Sequence, residues 1–270
     1  TLPDDLGGNL EPEGSAWMFG LVADHPFIRS RAFNLNGHAG FDITRNSTNY
    51  NPRLQSIETT DKQRVVRLGG DMNFLDGFAG YNAINAMISK GLEIFDSSEK
   101  GDLNLSRSEG APSFLKYTLE ATRLQRIYGP ISGLIGVSGQ YSSDPLLASE
   151  EFGLGGTDYG RGYDASEVTG DSGLGGKAEL AYSGQIPGQP YINDYQLYTF
   201  YDIGAIWNHD PGAGIGTRQS IASAGVGTRF GVMDNIRGDA YVAKPLTRPV
   251  ASRGEAGDNV RFKFSLSAGF

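Results

Sequence analysis

The sequence contains no cysteine, so neither a disulfide framework nor a thiolate metal site can be built from it. It has no basic run either: 23 Lys and Arg stand against 31 Asp and Glu, and the net charge of −8 argues against a nucleic-acid partner. Nowhere do apolar residues continue for the ~18 positions that a membrane-spanning helix requires. Histidine is scarce. His25, His38 and His209 are scattered without metal-ligand spacing, and His38 falls on the polar face of a strand pattern, which suits a lumen-facing or solvated role. No Ser/His/Asp arrangement or pair of carboxylates stands out, so there is no positive case for an enzyme, a metal or a cofactor. The opening stretch "TLPDDLGGNLEPEG" carries no initiator Met and no signal sequence, and it reads as a polar loop. The chain is therefore expected to be cut from something longer.

What the sequence does have is glycine, 39 residues of it, and strict alternation. In "FNLNGHAGFDI" (33–43) Phe33, Leu35, Ala39, Phe41 and Ile43 take one parity, and Asn34, Asn36, His38 and Asp42 take the other. In "VRFKFSLSAGF" (260–270) Val260, Phe262, Phe264, Leu266, Ala268 and Phe270 oppose Arg261, Lys263, Ser265 and Ser267. Such alternation marks strands with two different faces. Weaker versions recur at 16–24, 63–75, 83–95, 114–123, 131–141, 177–184, 194–207, 221–232 and 235–244, which makes about eleven strands in all. No helical period of similar quality is present.

Strand length chooses between the two architectures that fit. Strands of soluble sandwiches average about five to six residues, whereas a strand that crosses a bilayer needs about 9–11. Most of these segments are of the second kind, and their polar faces carry Asp71, Arg229, Arg261 and Lys263. The expected fold is all-β, an antiparallel transmembrane β-barrel with its apolar faces turned to lipid and its polar faces to a wet interior. Lipid cannot satisfy an open sheet edge, so such strands must close. The connections agree with this. Very short ones, "GP" (129–130) and the "DN" region (234–235), alternate with long polar ones at 46–62, 96–113, 144–173, 208–219 and 246–259. Tyr128, Tyr141, Tyr182, Tyr195 and Trp207 lie near strand ends, either as interfacial girdles or as ordinary strand aromatics.

Two phosphate-binding patterns are set aside. "GRGYDA" (160–165) satisfies a dinucleotide spacing but no helix follows it, and "GLGGKA" (173–178) is preceded by Asp171 and ends in Ala178 where a P-loop needs Gly and Ser/Thr. "NST" (46–48) matches a glycosylation acceptor, which means nothing in a bacterial-type barrel.

The loop 144–173 carries its own pattern. "GLGGTDYGRGYD" (153–164) surrounds one cation, Arg161, with five glycines. A loop of this kind can fold into the barrel and seek an anion on the wall. The strongest candidate lies in "YQLYTFYDIGAIW" (195–207), where Gln196, Tyr198, Phe200, Asp202, Gly204 and Ile206 take the inward parity. A mid-strand Asp left unpaired there is costly. The planar guanidinium of Arg161 suits bidentate contact with it, and Gly204 leaves room for another backbone or a planar side chain to approach.

"FGLGGTDYGRGYD", followed by "FYDIG" and a terminal "FSLSAGF", resembles the C-terminal barrel of two-partner secretion transporters, the haemolysin-activator or filamentous-haemagglutinin exporters of Gram-negative outer membranes. Their superfamily includes the outer-membrane protein insertases. The family loop motif is typically Val-Arg-Gly-Tyr/Phe. Here it reads Gly160, Arg161, Gly162, Tyr163, with Gly160 departing from Val. The wall motif Phe-x-Asp-x-Gly matches at Phe200, Asp202 and Gly204. "HPFIRSR" (25–31), "TRLQRI" (122–127) and "SSDPLLASEEFGLGG" (142–156) match less specifically, so the similarity runs from about residue 16 onward.

The resemblance implies that Arg161 and Asp202 pin the loop inside the barrel, and that Phe270 is a C-terminal assembly signal read by the barrel-assembly machinery. It implies a barrel of about sixteen strands. Residues 1–270 would then be its C-terminal portion, lacking the first strands, the plug helix and the POTRA domains. The implied function is export of one large partner protein of haemolysin or adhesin type, unfolded, across the outer membrane. With no nucleotide site, folding of the partner outside would drive export. An insertase that folds other barrels, a barrel that exports or anchors an enzyme fused ahead of it, and a passive porin are the alternatives.

Overall fold

Alternation of apolar and polar residues builds one very wide antiparallel sheet. The computed structural model describes residues 12–50, 57–188, 192–209, 216–233, 235–250 and 259–269. In chain order the strands are β1 (Pro12–Arg29), β2 (Phe33–Tyr50), β3 (Ile57–Leu75), β4 (Gly80–Gly91), β5 (Leu115–Tyr128) and β6 (Ile131–Ser142). Two short strands, β7 (Phe152–Leu154) and β8 (Val168–Gly170), pair with each other inside the loop that follows. The large sheet continues with β9 (Ser172–Gln185), β10 (Ile192–Trp207), β11 (Arg218–Val232), β12 (Ile236–Pro245) and β13 (Arg261–Ala268). Its order is strictly up and down, with β9 beside β6, and among the described residues it runs from β1 to β13. Each alternating segment of the sequence is one strand of this sheet.

The sheet is inside-out relative to a water-soluble protein. Phe262 is 70% exposed, and Leu68, Leu119, Ile135, Leu180, Leu197, Ile203, Val226, Phe264 and Leu266 are exposed with it. The buried set is instead rich in Asp42, Gln63, Lys116, Gln140, Glu150, Arg161, Asp171, Asp202 and Arg261. An apolar outer face and a polar interior are what hydrocarbon around the wall demands. No helix among the described residues is long and apolar enough to cross a membrane. The exposed aromatics fall at both ends of the wall: Tyr128 and Tyr182 near the short turns, Tyr141 and Trp207 near the long loops. Tyr195 is only partly exposed.

The two ends differ as expected. Short turns join β1 to β2, β3 to β4 and β5 to β6, and the last of these turns on Gly129 at φ +53°. The opposite end carries the connections after β4, β6, β10 and β12, and this is the extracellular end of such a barrel. One expectation needs correction. Residues 46–62 were expected to be a long polar loop, but β2 runs to Tyr50 and β3 starts at Ile57, with Asn46 opposite Asp61 and Ser47 opposite Thr60. The Ser47 and Thr60 hydroxyls lie 3.0 Å apart. Polar residues occupy both faces of this part of the hairpin, so its sequence does not alternate.

The largest buried apolar cluster lies between the loop and the inner wall. Leu154, Tyr159, Tyr163 and Val168 of the loop pack on Ile206 and Ile221 of the wall and on Val250. A loop buried in this way is part of the fold.

Candidate functional site

The loop leaves β6 at Ser142, makes a short 3₁₀ turn at Ala148–Glu150, forms the β7–β8 hairpin and enters β9 at Ser172. Its tip crosses the inner wall strand by strand. Gly160 turns the chain at φ +113°, a conformation that favours glycine, in a space where a Cβ would meet Ile221 at 2.6 Å. Arg161 then faces β10. Gly162 lies against Ser223 of β11 and Pro245 of β12. The fully buried Tyr163 donates its hydroxyl to the carbonyl of Ala222 (3.2 Å) and lies 3.1 Å from the Thr247 hydroxyl. Asp164 pairs with Arg261 of β13.

Asp202 is fully buried, and its carboxylate is the centre of the contact. It accepts from Arg161 Nη2 at 2.8 Å and from Arg161 Nε at 3.0 Å, the bidentate geometry that only a guanidinium supplies. It also accepts from the backbone N–H of Arg161 (2.9 Å) and of Gly160 (3.3 Å), and from Ser223 Oγ (3.4 Å). The guanidinium lies 3.5 Å above the centre of the Phe200 ring, so the first residue of the wall motif forms the floor on which the cation rests. The third, Gly204, clears space for the loop, although what approaches is the aliphatic Leu154. A Cβ on Gly204 would come within 2.6 Å of its Cδ1.

Of the rest of the network, the sequence patterns put Arg229 on a polar face and Tyr198 on the inward one, but did not single out Glu179 or Asp239. Glu179 of β9 accepts from Arg161 Nη1 at 2.9 Å, and also from Arg229 Nη1 and Nη2 at 2.5 and 3.0 Å. Arg229 lies 4.0 Å above the Tyr198 ring, and Tyr198 donates to Asp239 at 2.6 Å. Two arginines, each on an aromatic ring of β10, thus share one acid. The available signal was parity: Glu179 shares the inner face of β9 with Lys177, two residues away.

The base of the loop is held separately. Glu150 pairs with Arg67 of β3 (2.7 Å) and Lys116 of β5 (2.6 Å). Asp171, fully buried, accepts from Arg107 (2.5 Å) and from the backbone N–H groups of Leu146 (2.7 Å) and His209 (2.8 Å), which joins three long connections. Burial works to raise the Asp171 carboxyl, but the hydrogen bonds from Arg107, Leu146 and His209 outweigh it and hold the group below the ordinary carboxylate range. No cluster of three potential metal ligands occurs among the described residues. Phe270 lies outside the described residues.

The sequence profile of the haemolysin secretion/activation protein family ShlB/FhaC/HecB matches residues 5–230. The chain belongs to this family. It is a family of secretion proteins and not of enzymes, and together with the fold it sets the chain in the outer membrane of a Gram-negative bacterium. The heme/hemopexin transporter protein HuxB of Haemophilus influenzae is 23% identical over 250 residues, covering 89% of this chain and 43% of its own length. Among solved structures, CdiB from Escherichia coli superposes with a TM-score of 0.73 at 17% identity, over 96% of this chain and 46% of its own. CdiB from Acinetobacter baumannii gives 0.70 at 16% identity, over 96% and 43%. BamA from Haemophilus ducreyi, lacking POTRA domains 1–3, gives 0.62 at 14%, over 95% and 55%. These structures share the fold. The chain spans less than half the length of the curated relatives it matches.

Proposed function

We propose that this chain is the later part of the barrel wall of a two-partner secretion transporter. It would export one large partner protein, unfolded, past a loop that is seated on the inner wall by Arg161 and Asp202. The observation that carries the reading is the bidentate Arg161–Asp202 contact at 2.8 and 3.0 Å, made by a loop that lies inside the sheet. Loop and wall are joined by charge as well as by apolar contact. Charge pairs can be exchanged for others, so in this reading the loop can leave the wall during export. The length comparison supports the partial-wall reading, since the chain matches 43% of the length of HuxB. In this reading, folding of the partner on the outside would supply the driving force. Phe270 is assigned to recognition by the barrel-assembly machinery.

The test is secretion of the partner by Arg161→Ala and Asp202→Ala in the whole protein. Both should reach the outer membrane at normal levels and lose most secretion. Wild-type secretion by either variant overturns the role of the loop. An insertase role, suggested by the weaker likeness to BamA, predicts instead that the same variants deplete other barrels from the membrane.

A further inference from the structure

Lys177 of β9 lies directly across from Asp202 of β10: their Cα atoms are register partners. Residues opposed in this way project from the same face, with Cβ atoms about 4.5–5.5 Å apart. A lysine and an aspartate so placed are natural partners, yet the lysine turns away. Its Nζ lies 3.8 Å from Asp158 Oδ1 and 4.8 Å from the centre of the Tyr159 ring, and both residues belong to the loop. The contacts that hold Lys177 away are weak, since the Asp158 side chain is largely exposed and an ion pair in water contributes little. The cation that takes the Asp202 carboxylate is Arg161, also from the loop.

Departure of the loop would remove both sets of contacts at once. Asp202 would lose its guanidinium, and Lys177 would lose Asp158 and Tyr159. A carboxylate left without a cation on a confined wall is strongly unfavourable. The four-carbon stem of lysine is flexible enough to reorient across one strand. The neighbouring acid already has such a provision, because Glu179 keeps Arg229 of the wall when Arg161 is gone.

We propose that Lys177 is the surrogate cation of Asp202: when the loop leaves the wall, its ammonium turns from Asp158 and Tyr159 to the Asp202 carboxylate. The seated and released states then each carry a satisfied acid, and loop movement exchanges one ion pair for another. Lys177 acts as a positioning residue for the released state. The inference rests on the reading that the loop can leave, and its test is therefore kept separate from secretion.

The experiment is a mutant cycle on the whole protein in lipid bilayers, read as the midpoint of heat unfolding. Arg161→Ala creates the Arg161-free wall whether or not export uses it. Lys177→Ala should shift the midpoint little while Arg161 is present. In the Arg161→Ala background it should lower the midpoint by much more, so that the double variant loses more than the sum of the two single shifts. Lys177→Arg in that background should restore the midpoint, and adding Asp202→Asn to the double variant should remove the extra loss, because the unpaired charge is gone. An equal Lys177→Ala shift with and without Arg161 overturns the proposal. So does a triple variant with Asp202→Asn that is no better, or fails to assemble like the double. Wild-type secretion by Arg161→Ala would instead strike the translocation reading and leave this cycle standing.

Discussion

Glu150 of the loop meets Arg67 of β3 at 2.7 Å, five strands along the sheet from the Asp202 contact. The loop is therefore braced at two places on the wall. At this one the signs are reversed, with the acid on the loop and the cations, Arg67 and Lys116, on the strands. Burial works to raise the Glu150 carboxyl, but attraction to Lys116 and Arg67 outweighs it and holds the group below its ordinary value of 4.5.

A group depressed in the folded state contributes stability that is fully present above its unfolded value and is lost as pH falls through the folded one. Loop-base stability should therefore be constant from neutrality down to about pH 4.5 and decline on further acidification. Glu150→Gln leaves Lys116 without its acid and Arg67 with Asp42 alone, and should cost about 3 kcal/mol at neutral pH. It should also flatten the acid-side decline. Urea-unfolding midpoints of both proteins across the pH range test this, and parallel pH profiles would remove Glu150 as the titrating group.

Tyr163 reports on the tip. Its hydroxyl lies within 3.3 Å of the Ala222 carbonyl, the Thr247 hydroxyl and the N–H groups of Thr247 and Arg248, while its ring fills the centre of the apolar cluster beneath the loop. Tyr163→Phe keeps the ring and should cost about 1–2 kcal/mol through the polar groups left unpaired. Tyr163→Ala removes the ring and should cost about 3–5 kcal/mol. Protease sensitivity of the loop should rise slightly in the first and sharply in the second. Equal sensitivity in both would mean that the ring does not hold the tip.

Part of this arrangement was legible in the sequence, for reasons particular residues show. Alternation revealed the strands and their faces because lipid on one side and water on the other impose opposite chemistry on successive residues. Phe262 and Phe264 against Arg261 is such a case. The same logic placed Asp202 on the inner face, opposite a loop with one isolated arginine. Alternation failed where both faces carry polar residues, as in residues 44–49 of β2, and β7 and β8 are too short for any period to register. The pairing of Glu150 with Arg67 across 83 residues depends on the path of the loop, and no local pattern records that path. Glu179 was within reach, since an inward acid one strand from Asp202 is itself a candidate for the same cation.

The orientation of the faces has its own test in adjacent residues of β13. Phe264→Arg puts a charge on the lipid face and should cost about 2–4 kcal/mol at mid-bilayer depth. Ser265→Arg puts the same charge on the wet face and should cost well under 1 kcal/mol, about the level of an ordinary surface substitution. Folding titrations into lipid vesicles measure both. Equal losses would contradict the inside-out polarity of the sheet.

Gly204 and Leu154 test whether close approach, rather than charge alone, seats the loop. A Cβ at position 204 would stand 2.6 Å from Leu154 Cδ1 and 3.0 Å from the carbonyl oxygen of Leu174. The leucine can yield, but the strand carbonyl cannot do so without distorting the ladder. Gly204→Ala should therefore cost about 1–3 kcal/mol and loosen the loop. Leu154→Ala should cost about 2–5 kcal/mol by leaving a cavity in the cluster. Combined, they should cost less than the sum, because the added methyl group occupies space that the truncated side chain vacates. Unfolding midpoints of the two single variants and the double one give the coupling directly. Strict additivity would show that the glycine serves the strand alone and not the loop above it.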